Sequence, residues 1–343
     1  MSPPAAFSGR SLLRLGGSLL LAGGFLYLAF RTVDLDMMWE SLRGVRYGWL
    51  FLLFVSLMAS HLVRAHRWGV MLGPVKRGIG LRNLFAGVLV GYMVNNVLPR
   101  AGELVRPYAL ARLESIPAGA AFGSIVFERL IDMLTFLLLV LLVPFLYAGP
   151  LQSAFPWLET TGMYAAVLTL GVFLALVVMM LRRGWTDRFL ALIRRVLPPG
   201  PAERICRLTH SFLDGFMMLR DPGRIALFLA QSAAVWGLYA LNLYIGFRAF
   251  GLGERLDGSA SLVVLAISSI GVALPTPGGL GTYHLFVSQT LTQLYGVPAP
   301  VALSYGTAVH AVGYVGVTLW GLYFFFRDHI RVAEALRTGG GAS

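Results

Sequence analysis

The sequence predicts an all-α polytopic membrane protein, and three observations carry that prediction. Of 343 residues, 57% are hydrophobic and only 13% are charged. The apolar residues fall in uninterrupted runs rather than in the alternation of a soluble core. The basic excess, 28 Lys plus Arg against 16 Asp plus Glu for a net charge of +12, gathers in short loops between those runs. That is the positive-inside distribution and needs no nucleic-acid partner; a sharper reading of the same loops is a cytoplasmic face that attracts anionic lipid.

A bilayer core of about 30 Å takes roughly 20 helical residues. Six runs meet that length: Ser11–Phe30, Trp49–Leu72, Gly119–Tyr147, Met163–Leu181, Ile225–Phe247 and Val301–Phe326. Arg10 and Arg14 before Leu19–Phe30 imitate a signal peptide, but no small-residue cleavage site precedes Asp34, so the first run is expected as a retained span. Two shorter apolar segments, Leu84–Leu98 and Leu262–Leu274, stop at proline and glycine clusters, Pro99 to Glu103 and Pro275 to Gly281. Proline removes a backbone donor and glycine admits unusual dihedrals, so a helix must break at each. Broken backbone at membrane depth persists only against protein or a water-filled cavity. The expectation is six spans plus two re-entrant hairpins, or eight spans if the hairpins cross. Within the stretch 185–219, Asp187–Leu197 and Glu203–Leu219 mix apolar residues with Arg at helical spacing. They read as helices on the membrane surface, or less readily as a partner-binding element. Residues 1–337 form one integral membrane domain on this reading, and the Gly-rich 338–343 is a disordered tail.

Loop charge assigns sides. Arg64, Arg67, Lys76, Arg77 and Arg82 cluster after the second span, and nine arginines from Arg182 to Arg224 crowd the stretch before the fifth. Both go to the cytoplasm. Ala148–Gly162 lacks Lys and Arg and carries Trp157, so it goes outside, while Arg327, Arg331 and Arg337 return the carboxyl end inside. Both termini are therefore expected in the cytoplasm of a bacterial cell with the chain in its inner membrane. Pro117 to Arg129 runs parallel to Pro298 to His310, each after its own hairpin. With opposite directions for the spans that follow, this predicts inverted repeats over 11–147 and 163–326.

Three clusters can carry chemistry. The first break joins Asn95, Asn96, Pro99, Arg100, Gly102, Glu103, Arg106 and Tyr108. The planar fork of Arg suits phosphate oxygens, with Glu103 holding Arg106 at helical spacing; the alternatives are a phospholipid headgroup site and interfacial salt bridging. On the third span Ser124, Glu128 and Asp132 recur every four residues, with Arg129 leaning toward Asp132. Such a face should point inward and pair with the first cluster, as an ion-pair network or as a path for substrate or protons. The second break, with Pro277, Gly278, Gly279, Gly281, Tyr283 and His284, exposes backbone N–H groups at a new helix start. It is an acceptor of anionic oxygens or simply a tight turn, and lacks the Lys and the strand context of nucleotide loops. His284 and His310 can couple transport to protons or merely hydrogen-bond. Arg64 and Arg67, with Ser60, meet headgroups at the inner end of the second span or snorkel there. Gln231 and Asn242 on the fifth span are expected to bond between helices. The lone Cys206 excludes an internal disulfide, and the six histidines lack ligand spacing, so neither metal nor cofactor is expected.

Taken in order, Asn95-Asn96-Val97-Leu98-Pro99-Arg100-Ala101-Gly102-Glu103 with Arg106, then Glu128-Arg129 and Asp132, then Pro275-Thr276-Pro277-Gly278-Gly279-Leu280-Gly281 resemble the lysylphosphatidylglycerol synthase transmembrane family over nearly the whole chain. The resemblance implies an integral, flippase-like membrane fold that moves a lipid between leaflets, or helps to move it; the Arg clusters point to an anionic headgroup, and the chain is not expected to be an enzyme. His284 stands where the family often has an acidic residue, which withdraws any role for that carboxylate. The chain ends soon after its last span, so no aminoacyl-transferase domain and no lipid aminoacylation are expected. The other readings are a membrane-embedded transferase acting on polyprenyl-phosphate sugars, with Glu103, Glu128 or Asp132 as base, and an accessory subunit of an envelope-lipid enzyme. Membrane lipids are the expected partners, with a homo-oligomer or an envelope-lipid synthesis protein as further candidates.

Overall fold

The computed structural model describes residues 9–30, 34–147, 149, 155, 158–181, 188, 190–191, 194–195 and 198–328. These form helices α1 (Gly9–Phe30), α2 (Leu35–Arg43), α3 (Tyr47–Leu72), α4 (Leu81–Val97), α5 (Gly102–Glu114), α6 (Ala118–Leu146), α7 (Leu158–Leu181), α8 (Pro199–Asp214), α9 (Pro222–Ala249), α10 (Gly258–Ala273), α11 (Thr282–Tyr295) and α12 (Ala299–Arg327). All six predicted runs lie in helices. Of these, α3, α6, α9 and α12 are long and apolar enough to cross a membrane by length and composition.

Side-chain burial is inverted relative to a soluble protein. Phe145 on α6 is 86% exposed, while Arg67 and Glu128 are 0% exposed. Outward Phe and Leu with inward charge suits a lipid surround, where the polar groups must find one another.

Both predicted breaks are present, and each separates two antiparallel arms. The first hairpin is α4 and α5, of 17 and 13 residues; the second is α10 and α11, of 16 and 14. At 1.5 Å per residue each arm is about 20–25 Å long, short of a ~30 Å core. Close backbone approach ties the arms together. A Cβ on Gly102 would lie 1.9 Å from the Gly91 carbonyl oxygen, and one on Gly271 would lie 2.9 Å from that of Thr282. The two pairs share the same spacing along the chain.

The two halves also share their order of elements and their contacts. Helices α3 and α9 pack antiparallel along their length, from the Arg46 N–H on the Ala249 carbonyl (3.0 Å) to Arg224 on the Val70 carbonyl (3.3 Å). Each hairpin's first arm packs on the last helix of the other half, α4 on α12 and α10 on α6. Helix α2 packs on α12 as α8 packs on α6. Pro117 and Pro298 cap α6 and α12, each two residues after a positive-φ helix stop, Ser115 and Gly296.

Helix α8, expected as a surface helix, docks on α6, where a Cβ on Gly123 would meet the Phe212 carbonyl oxygen at 1.9 Å, while its Glu203 and Arg207 stay exposed. Phe216 just beyond α8 is fully buried among Phe127, Phe212 and neighbours. The glycines of α6 leave room for that backbone contact. Most of Asp187–Leu197, most of 148–157 with Trp157, Arg182, Arg183, Arg331, Arg337 and the tail 338–343 lie outside the described residues, while 158–162 of the expected loop belong to α7.

Candidate functional site

The first hairpin, α3 and α6 assemble a buried network of four arginines and three carboxylates. Glu128 stands at its centre and is reached by every one of the four. Arg106 of α5 holds it bidentately, Nη1 to Oε1 at 3.1 Å and Nη2 to Oε2 at 3.0 Å. Arg64, Arg67 and Arg129 approach its Oε1 at 3.5, 3.3 and 3.4 Å. Asp132, one turn on, takes Arg64 at 2.6 Å and Arg67 at 2.9 Å. Among the described residues Glu103 forms an ion pair with Arg129 alone, at 3.2 Å. Four guanidiniums against three carboxylates leave one positive charge in excess.

Aromatic and hydroxyl groups fix the forks. The Trp68 ring lies 4.1 Å beneath the Arg106 guanidinium carbon and its Nε1–H donates to Ser124 Oγ at 2.9 Å. Arg64 donates to the Tyr92 hydroxyl, and Arg67 donates to Ser232 of α9 at 2.9 Å. Among the described residues, buried polar atoms remain without a hydrogen-bond partner: both ring nitrogens of His61, which packs tilted against Tyr92, and Nε of Arg64 and Arg106. A cleft lined by Gly91, Tyr92, Asn95, Gly102, Glu103, Arg106 and Arg129 reaches this network, and its free volume is about 10 Å³, room for one water.

A second cluster lies where the hairpin breaks meet. Asn96 Nδ2 donates to Thr318 Oγ1 at 2.9 Å, and the Tyr314 hydroxyl donates to the Asn96 carbonyl at 2.8 Å. Arg100, with φ +64°, donates to the Ala273 carbonyl at the end of α10. The His310 Nε2–H donates to the Gly278 carbonyl at 2.9 Å, since a carbonyl can only accept. Tyr283 and His284 pack on the His310 ring, with centroids 5.1 and 4.9 Å away. Gly278 has φ +55°, and a Cβ there would lie 2.6 Å from Asn96 Oδ1 and 2.7 Å from the Tyr314 ring.

Several expected pairings differ. Glu103 does not hold Arg106: Arg106 turns to Glu128 and Glu103 pairs with Arg129, because α6 presents its charged face along the hairpin. Arg129 lies closer to Glu103 than to Asp132, which is 3.9 Å away. Arg64 and Arg67 neither snorkel nor sit at an interface; both are buried in the network. Asn95 caps α5, its Oδ1 accepting from the Gly102 N–H at 2.7 Å, and Pro99 lies in the turn itself. Tyr108 lies on α5 under Arg112, 6.0 Å from its guanidinium carbon. Pro277 opens the second turn, and Gly279 and Gly281 have φ +79° and +80°. Gln231 bonds to His66 of α3 as expected between helices, whereas Asn242 Oδ1 has no hydrogen-bond partner. Among the described residues neither His284 nor His310 forms an ion pair with a carboxylate, and no group of three or more His, Cys, Asp or Glu is placed to hold a metal.

His61, Trp68, Tyr92 and Ser232 are site residues that sequence reasoning missed. The spacing of His61, Arg64 and Trp68 puts all three on one face of α3, the signal that would have found His61 and Trp68; no such spacing points to Tyr92 on α4 or Ser232 on α9.

Comparison with known proteins agrees with this architecture. A UPF0104 membrane protein of Methanothermobacter thermautotrophicus is 29% identical over 229 residues, covering 63% of this chain and 66% of that protein. A UPF0104 membrane protein of Pyrococcus horikoshii is 25% identical over 273 residues, 74% of this chain and 80% of its own. Glycosyltransferase AglD of Haloferax volcanii is 25% identical over 280 residues, 71% of this chain but 44% of AglD. The chain thus spans just under two thirds of the first relative and less than half of AglD. Residues 16–321 match the family described as the Lysylphosphatidylglycerol synthase TM region. With its membrane-length helices and that match over most of its length, the chain is a multi-pass membrane protein belonging to the lysylphosphatidylglycerol synthase transmembrane family.

Proposed function

We propose that this protein carries an anionic, phosphate-bearing lipid between the two leaflets of the cell membrane. One observation carries the reading: a buried network with one positive charge in excess, and with unpartnered guanidinium and imidazole nitrogens, beside a cleft in a broken-helix hairpin. An excess charge at membrane depth is costly unless an anion shares it, and arginine forks match phosphate oxygens. The headgroup would lie against Arg106 and Arg129 while its tails stay in lipid. The cleft is too small for a headgroup as it stands, so access requires the hairpin arms to part. Two inverted halves rocking about the meeting point of their hairpins would open it to alternate faces, and the Gly278 turn with His284 and His310 would lie farther along the same path. On this reading the α3–α4 loop and both termini face the cytoplasm.

Purified protein in liposomes carrying fluorescent phosphatidylglycerol or a polyprenyl-phosphate analogue tests the proposal. Dithionite should bleach more than the outer-leaflet fraction, and Arg106→Ala and Arg100→Ala in folded protein should lower that excess. Absence of exchange with any anionic lipid would sink the reading. The similarity to a protein named glycosyltransferase AglD favours a second reading, a membrane transferase or its accessory subunit. Formation of a product that depends on an added sugar donor would favour that one.

A further inference from the structure

Glu103 differs from the other two carboxylates of the network. Glu128 and Asp132 are each held by three or more arginines and are buried. The Glu103 side chain keeps 26% of its surface, lines the cleft and has one ionic partner, Arg129, itself 37% exposed. An anion arriving in the cleft therefore meets a single adjustable negative charge next to the two guanidiniums that would receive it.

We infer that Glu103 is a charge filter, setting the headgroup that the site accepts to one negative charge. The inference rests on the transport reading, whose binding site it deepens. With Glu103 ionised and in place, the network lacks one negative charge, which a phosphodiester supplies. A phosphomonoester carries nearly two negative charges at neutral pH and would crowd the Glu103 carboxylate within the same narrow cleft. Removing that carboxylate leaves two positive charges and matches the monoester instead. Glu103 thus acts by repulsion, in the way that specificity often needs a feature set against the wrong ligand.

The test uses purified full-length protein in detergent at pH 8, titrated with dioctanoyl phosphatidylglycerol as the diester and decyl phosphate as the monoester. Wild type should prefer the diester, and Glu103→Gln should shift the ratio of the two affinities toward the monoester by about tenfold. Glu103→Asp, which keeps the charge, should retain the wild-type preference, and Glu103→Ala should repeat the shift if the Gln variant is not monodisperse. An unchanged ratio, with both ligands still bound, would overturn the filter and leave the transport reading standing. Wild type that binds neither ligand would overturn both. A loss of both ligands in Glu103→Gln, at an unchanged melting temperature, would make Glu103 a direct contact rather than a filter and would also overturn the inference.

Discussion

The two hairpins share a frame and differ in chemistry. In each, an arm of 16 or 17 residues meets one of 13 or 14 across a break, with close backbone contact at equal spacing. The last helix of each half then follows a positive-φ stop and a proline. Yet the first hairpin faces a helix carrying Glu128, Arg129 and Asp132, where the aligned positions of α12 are Val309, His310 and Gly313. One half is built to balance charge; the other packs imidazole, phenol and glycine around a turn. A repeated frame therefore need not repeat its chemistry: it supplies two broken helices, and the side chains make one a charge network and the other a packed turn.

The largest effect expected from breaking this contrast is at Glu128. Glu128→Ala strands the arginines that converge on it, and loss of one partner from a buried ion-pair network costs about 3–5 kcal/mol. The measurement is the thermal midpoint in detergent. The aligned Val309→Ala should cost less, since it removes only two methyl groups, about 1–2.5 kcal/mol. If the two losses were equal, the charge network would not be what holds the first hairpin.

Gly278→Ala comes next. It places a Cβ against Asn96 and the Tyr314 ring at φ +55°, so a loss of about 1–3 kcal/mol is expected from strain alone. The contact between hairpins should open with it, read as faster amide exchange over residues 96–101 and 274–281. Trp68→Phe is milder: it loses the N–H bond to Ser124 but keeps a ring under Arg106, about 1 kcal/mol. A compensated Tm with weakened anion binding would show that the indole orients the fork more than it stabilises the fold.

The smallest effect concerns the hairpin mouths, where a carboxylate caps the first arm in both halves but comes from different places. Glu114 at the end of α5 accepts from the Gly80 N–H and from Asn83, with Lys76 at 2.7 Å. Asp257 caps its own helix, accepting from Ser259 and the Ala260 N–H. Burial opposes the Glu114 charge, but the bonds from Lys76, Asn83 and Gly80 outweigh it and hold the carboxyl below its usual range. The bonds from Ser259 and Ala260 do the same for Asp257. A carboxyl whose folded pKa is depressed adds stability that is complete above its unfolded pKa, near 4, and is lost as pH falls through the folded value. Melting temperature should therefore drop on acidification below about pH 4, and Glu114→Gln should flatten part of that drop.

What was legible in the sequence is what local chemistry determines. Six long apolar runs and two proline–glycine stops report on the chain near them, and each appears where expected. Partner choice is not local. The spacing of Glu103 and Arg106 permits a pair along α5, but Arg106 reaches Glu128 on α6, which brings two further arginines from α3 to the same carboxylate. Arg64 and Arg67 sit within the last nine residues of α3, a position that fits snorkelling equally well. Only the approach of α6 distinguishes the cases. The docking of α8 was hidden for the same reason: its amphipathic pattern specifies an apolar face, and the glycines of α6 that receive this face lie some 90 positions earlier in the chain.

The wiring of the network also bears on how the chain is made. Arg64 and Arg67 are synthesised before Glu128 and Asp132, and Ser232 follows later still. Both arginines lie near the end of α3, where long cationic side chains can reach the membrane surface until a partner arrives. Helix α3, long and apolar enough to cross a membrane, can thus enter first, and burial of its arginines awaits the carboxylates of α6. The order of synthesis therefore places the cations of the network ahead of the anions that bury them.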